Sequence, residues 1–403
     1  MSETKRSSTR VKGFVDAEMD FQLLRQLGSA YYGGSSVGEV LSIASSMKQE
    51  TPQEWVKAFS KQAQSLEEDA SQRALKSHNV SAYEQYLKAS SSYRAAEYYE
   101  KVTNEAHKIF GLKSRECFLK AMELSSYHFN YDFVSYKELK LPYYFISKDN
   151  KKRKTIIIIS GFDGTLEEIF LVTATAALER GYNVVLFSGP GQMDTLRFNE
   201  THFEHDYEKP MSLLIDEILK DERVDEDNLA LYGISFGGYF ASRATCFEPR
   251  IKALILNSPI VNLHDYMSGF IGYDPAKVSD EEDFSIADLP NFSEEEFPSS
   301  YKESSEALML RFNQSTFKNC FQYMNKFSIE DDYQNIDIPS LALVGEGEGG
   351  EPKREFDEFI KNVKKCDSYF FKQSDGADTH SQVGNLNLSN AVVYDWLDEI
   401  FDT

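Results

Sequence analysis

The residues best suited to chemistry lie in Asn228-Leu229-Ala230-Leu231-Tyr232-Gly233-Ile234-Ser235-Phe236-Gly237-Gly238. A short apolar run, Leu229 to Tyr232, feeds into Gly233-x-Ser235-x-Gly237, and a helix-compatible run, Tyr239 to Thr245, follows. That strand, tight turn and helix form the layout of a nucleophile elbow, which holds a serine hydroxyl out at the carboxyl edge of a sheet. The five-residue pattern alone is weak, since average Gly and Ser usage gives about a tenth of a match by chance in a chain this long. It occurs twice here. Gly34-Ser35-Ser36-Val37-Gly38 also fits, but no β-type run precedes it, so it reads as a link between two helices. Context selects Ser235; the bland alternative is an ordinary serine in a Gly-rich turn.

A serine hydroxyl needs a base, and the base needs an acid to orient it. Behind an elbow serine the chain order is Ser, then Asp or Glu, then His. His380, in the loop Ser374 to Ser381, is the one histidine near the C-terminus and sits between the last strand and the final helix. The acid is expected just after the strand Leu341–Val344, in Gly345-Glu346-Gly347-Glu348-Gly349-Gly350-Glu351. Glu348 is favoured, with Glu346 and Glu351 as competitors, and Asp375 and Asp378 of the base loop behind them. The oxyanion formed on attack needs preorganised N–H donors. These are assigned to Phe236, which follows the nucleophile, and Phe162, in Ser160-Gly161-Phe162-Asp163-Gly164-Thr165. Asp163 is either a pocket residue or a turn and helix cap. His264 is a candidate for the pocket lining, while His202, His205, His78, His107 and His128 read as solvated or structural. This machinery calls for no metal or other cofactor.

The elements that must position these residues follow from the chain around them. Residues 1–12 are polar and read as disordered. From Gly13 to Tyr127 the apolar spacing is helical, with Thr51-Pro52-Gln53-Glu54 as a helix start. No 34-residue period marks a tetratricopeptide array, so a compact helical domain is expected over 1–127. After Tyr127 come antiparallel strands between Phe129 and Ile146, then the β-branched run Thr155–Ile159, a strand buried on both faces. Further strands are predicted at Asn183–Ser188, Ile251–Asn257 and Ser368–Lys372. Helices are predicted at Glu167–Arg180, Met211–Asp221 and Leu386–Phe401. Such alternation implies a mostly parallel sheet with helices on both faces, here over 128–258 and 338–403. The intervening 259–337 is too long for a simple connection and reads as a lid, with an acidic stretch at 279–296 and a helix over Glu303–Lys326.

Bulk properties limit the partners. With 43 Lys and Arg against 65 Asp and Glu in 403 residues, the net charge is −22. Such a surface disfavours nucleic acid and anionic membranes, leaving a small-molecule substrate. The four cysteines show no zinc spacing and read as reduced thiols of a cytoplasmic protein. No secretory signal or apolar run of membrane-spanning length is evident.

Taken together, these residues resemble α/β-hydrolases, and within them the polyketide-shortening hydrolases of pigment pathways and, more distantly, the 2,6-dihydroxypseudooxynicotine C–C hydrolase. The matching pieces are Gly161 to Thr165 with Glu167-Glu168, Ser188-Gly189-Pro190-Gly191-Gln192, Tyr232 to Gly238, Gly345 to Glu348, and Gly376 to Gly384 with Asp395 to Asp398. Tyr32-Gly33-Gly34-Ser35 is also similar, which makes the second Gly-x-Ser-x-Gly match a feature of the fold. Such enzymes usually carry Asp where Glu348 stands. The resemblance implies an α/β-hydrolase core, a helical N-terminal domain covering the site, often a homodimer, and cleavage of an ester or a β-diketone C–C bond through an acyl-enzyme. The alternatives are an acyltransferase using the same triad and a non-catalytic binding protein on a hydrolase scaffold.

Overall fold

A computed structural model of the chain describes residues 6–272, 274–277 and 306–402. Its centre is an eight-stranded sheet: β1 (His128–Tyr136), β2 (Leu139–Ser147), β3 (Arg153–Ile159), β4 (Asn183–Phe187), β5 (Val224–Ile234), β6 (Ala253–Asn257), β7 (Ser340–Gly345) and β8 (Cys366–Phe371). The spatial order is β1-β2-β4-β3-β5-β6-β7-β8. β2 runs antiparallel to both its neighbours, and all other pairings are parallel.

The β-branched run of β3 explains the two-sided burial. Successive side chains point to opposite faces, so Ile157 and Ile159 enter one core with Leu229, Leu231, Leu254 and Leu256. Ile156 and Ile158 enter the other with Ala230, Tyr232, Ala253 and Ile255. Because β3, β5, β7 and β8 are parallel, their carboxyl ends emerge along one edge. The loops carrying Phe162, Ser235, Glu348 and His380 therefore converge there.

The helical region comprises α1 (Ala17–Gly28), α2 (Val37–Ser46), α3 (Pro52–Leu75), α4 (Asn79–Tyr98) and α5 (Glu105–Leu124). Thr51 caps α3, accepting from Glu54 N at 3.3 Å, with Pro52 in the first turn. Phe14, Met19, Trp55 and Phe59 close a small core of their own. Leu66, Leu87 and Phe118, by contrast, share a core with Tyr144 and Ile156 of the sheet. The helices thus complete one face of the sheet. Ser36, centre of the second Gly-x-Ser-x-Gly match, occupies the N-cap of α2.

Three expectations change. Residues 6–14 are ordered by two buried carboxylates that collect backbone donors: Asp20 accepts from the N–H of Val11, Gly13 and Phe14 at 2.8–3.1 Å, and Asp378 accepts from the N–H of Ser8 and Thr9 at 2.9 and 3.0 Å. Residues 1–5 lie outside the described residues. The helix expected over Glu167–Arg180 widens to a π turn at Phe170–Ala174, where the Thr175 hydroxyl donates to the Phe170 carbonyl. The helix expected over Glu303–Lys326 is interrupted: residues 306–311 are helical, and a new helix, Phe317–Met324, starts at a Thr316 cap. The acidic stretch 279–296 lies outside the described residues.

Candidate active site

β5 ends at Ile234, and Ser235 takes a left-handed conformation (φ 58°) before the elbow helix Gly237–Phe247 begins. This backbone costs a non-glycine residue about 1–3 kcal/mol and persists only where its surroundings over-determine it. Here Ser235 N donates to Asn257 O at 2.6 Å, and Gly238 N donates to Ser235 O at 2.8 Å. A Cβ on Gly237 would lie 2.7 Å from the Ile159 carbonyl, so the elbow packs this tightly against β3 only with glycine there.

His380 Nε2 lies 2.9 Å from Ser235 Oγ, and His380 Nδ1 lies 2.6 Å from Glu348 Oε2. With the Nδ1–H tautomer, Glu348 accepts from the imidazole and Nε2 accepts from the serine hydroxyl. Glu348 ends the 3₁₀ turn Glu346–Glu348, and its other oxygen accepts Gly345 N at 2.8 Å. The carboxylate thereby closes its own turn while facing His380, and it is buried to 1% exposure. Among the competitors, Glu346 accepts Gln373 N, and Glu351 pairs with Arg354. Asp378 turns its carboxylate to Ser8 and Thr9, and Asp375 accepts Lys372 N.

Phe236 is the N-cap of the elbow helix, so its N–H belongs to the helix's unspent donors. The loop 160–165 lies directly against it: a Cβ built on Gly161 would sit 2.5 Å from Phe236 N and 2.8 Å from Ser235 Cβ. This loop is held from outside the sheet. Arg94 of α4 donates to Asp163 O at 2.5 Å, and Arg311 donates to Phe162 O while its guanidinium stacks 4.2 Å over the Phe162 ring. Gln192 Nε2 donates to Ser160 O at 2.5 Å. The Asp163 carboxylate pairs with Arg25 of α1 at 2.7 Å. Burial opposes ionisation of Asp163, but Arg25, Arg94 and Arg6 outweigh it and hold the carboxyl well below the usual carboxylate range.

A cavity of about 50 Å³ opens in front of Ser235, lined among others by Arg6, Phe21, Arg25, Asp163, Val172 and His380. Of the two pocket candidates, Asp163 lines it and His264 does not. His264 bonds instead to Asp265 and Asp274, at 3.0 and 3.1 Å, and packs its ring beside Phe321. Its position after β6 predicted the pocket; the Asn262-capped helix Leu263–Ile271 turns it into the insertion. Sequence reasoning missed Arg6, Phe21 and Arg25. For Phe21 and Arg25 the only signal was the helical spacing of α1, which carries no information about what that helix covers; Arg6 lies in the polar segment before it, which read as disordered.

No family model matches the chain. Over 93% of its length it superposes on 95% of the 2,6-dihydroxy-pseudo-oxynicotine hydrolase, with a TM-score of 0.72 at 20% identity. The chain has the α/β-hydrolase fold. The chain is also similar in sequence to fungal hydrolases. It is 26% identical over 421 aligned positions to the hydrolase LUC6 of a Fusarium species, covering 96% of this chain and 97% of that protein. It is 32% identical over 260 residues to the 20-hydroxy-prefusarin hydrolase FUS2 of Gibberella moniliformis, covering 60% of this chain and 61% of FUS2. Among the described residues, no helix is long and apolar enough to cross a membrane.

Proposed function

We propose that this chain is a serine hydrolase that cleaves an ester or an activated C–C bond of β-diketone type in a small, polyketide-like metabolite. The observation that carries the reading is the unbroken line Glu348–His380–Ser235, with bonds of 2.6 and 2.9 Å, at the tip of a strained elbow.

His380 Nε2 takes the proton of Ser235 as Oγ attacks the substrate carbonyl. Glu348 keeps the imidazole in the Nδ1–H tautomer and stabilises the imidazolium. The amides of Phe236 and Phe162 receive the developing oxyanion. When the tetrahedral intermediate collapses, the bond to the leaving group breaks. An alkoxide leaves as the alcohol, and a carbon leaves as an enolate stabilised by its second carbonyl; His380 returns the proton in either case. Water, deprotonated by His380, then attacks the acyl-enzyme, releasing the acid and free Ser235. Names of relatives such as the 20-hydroxy-prefusarin hydrolase support a fungal secondary metabolite as the substrate.

A fluorophosphonate probe tests the nucleophile: the wild type is expected to label and Ser235→Ala to stay unlabelled. Equal labelling of the two removes the assignment. Single-turnover comparison of aryl esters with β-diketones, with the acyl product identified, decides the bond cleaved. Accumulation of transferred acyl product in the presence of an alcohol would instead indicate an acyltransferase.

A further inference from the structure

We infer that residues 6–9 belong to the active site as a strap that, together with Asp378, positions His380. This rests on the serine-hydrolase reading above. The base sits in a strained loop: Ser381 and Gln382, directly after it, are both left-handed, at φ 55° and 50°. Two consecutive non-glycine residues in that region need external anchors. One comes from the core, where Asn257 Nδ2 donates to Gln382 Oε1 at 2.7 Å. The other comes from the far end of the chain, where the His380 N–H donates to the Arg6 carbonyl at 2.7 Å.

Asp378 holds the strap in that place. Its Oδ2 accepts from Ser8 N at 2.9 Å and Thr9 N at 3.0 Å, and its Oδ1 accepts from the Thr9 hydroxyl at 2.5 Å. The Asp378 carbonyl accepts Gly347 N at 2.9 Å, tying the same loop to the turn that carries Glu348. Gly347 makes this junction possible, because a Cβ there would lie 2.6 Å from Ser8 N. Strap, base loop and acid turn thus meet at one buried residue, Asp378, whose carboxylate holds a strap about 370 residues away in sequence and whose carbonyl holds the acid turn. Asp378 was a weak candidate for the triad acid; its geometry makes it a positioning residue one step removed. The Arg6 side chain then lines the cavity beside Ser235, its Nε 3.3 Å from Glu18 and its guanidinium 5.5 Å from the Phe21 ring centre.

The test compares the full chain with a chain lacking residues 1–9, and with full-length Thr9→Val and Asp378→Ala, on a small aryl ester. Expected are a fall in kcat of at least tenfold in the truncated chain with a smaller change in KM, and an intermediate fall in Thr9→Val. The far-downfield proton resonance of the His380–Glu348 bond should shift or broaden in each variant. A synthetic peptide of residues 6–14, added to the truncated chain, should restore kcat and the resonance together. Wild-type kcat in the variants, or a fall in kcat with that resonance unmoved, overturns the inference. Wild type lacking Ser235-dependent turnover would instead overturn the hydrolase reading, so the two failures are distinguishable.

Discussion

At the residue scale, the proposed acid separates from its rivals by direction. Three glutamates share one seven-residue turn, but only Glu348 closes its turn on Gly345 N and reaches His380 with the remaining oxygen. Glu348→Gln is expected to lower kcat by about 10²–10⁴-fold, because an amide can stabilise the wrong imidazole tautomer and carries no charge for the imidazolium. Glu346→Gln and Glu351→Gln should stay within about threefold of wild type. Steady-state kinetics on one aryl ester checks all three, and equal losses would reassign the acid. The short 3₁₀ turn Glu346–Glu348 folds the Glu348 side chain back onto Gly345 N, which sets its reach toward His380. Spacing narrowed the acid to this turn; the bonding partners of each carboxylate depend on contacts with loops far away in sequence.

At the element scale, the loop 160–165, proposed to supply an oxyanion donor, depends on elements the sheet does not supply. Arg25 and Arg94 from the helical region and Arg311 from the insertion hold its carbonyls and carboxylate. The loop must lie against the elbow, and Gly161 permits that. Gly161→Ala places a methyl against Phe236 N, and it should lower kcat by about 10²-fold, the scale of losing one oxyanion donor. The rate of fluorophosphonate labelling should fall in parallel. The prediction fails if labelling proceeds at the wild-type rate. The strand–turn–helix order around Ser235 was readable because hydrophobic period and turn glycines are local. The breaks at Phe170–Ala174 and around Thr316 were not, because apolar spacing continues through them.

At the scale of the whole molecule, a buried charge network joins the helical region to the core. Glu97 of α4 pairs with Arg197, and Arg197 pairs with Asp194 at 3.0 Å; neither the Glu97 nor the Arg197 side chain is exposed. Breaking a buried pair from one side leaves an uncompensated charge, so Glu97→Gln should lower unfolding stability by about 3–5 kcal/mol. Urea denaturation checks it, and a loss below about 1 kcal/mol would remove the network from the stability argument. His107 adds a pH dependence. Burial, together with Arg197 and Arg311, outweighs the attraction of Glu97 and pushes its imidazole down to about 4. The folded state then binds fewer protons than the unfolded state between about pH 6.5 and 4, so stability is present above that window and falls as pH drops through it. The full effect is of order 3 kcal/mol. Urea midpoints at pH 7.5 and 5 should differ less in His107→Gln than in wild type.

By itself the sequence determined the α/β architecture, and it put forward Ser235 rather than Ser36 as the proposed nucleophile with His380 as its proposed base. Each rests on local information: hydrophobic period, turn glycines, and the order of residues along the chain. The tertiary structure alone decided which glutamate faces the base, that His264 turns into the insertion, and that residues 6–9 lie across the base loop. The physical reason is range. Asp378 looks like any loop carboxylate until the chain's opposite end brings it Ser8 and Thr9, and a contact across some 370 residues leaves no periodic trace in either segment.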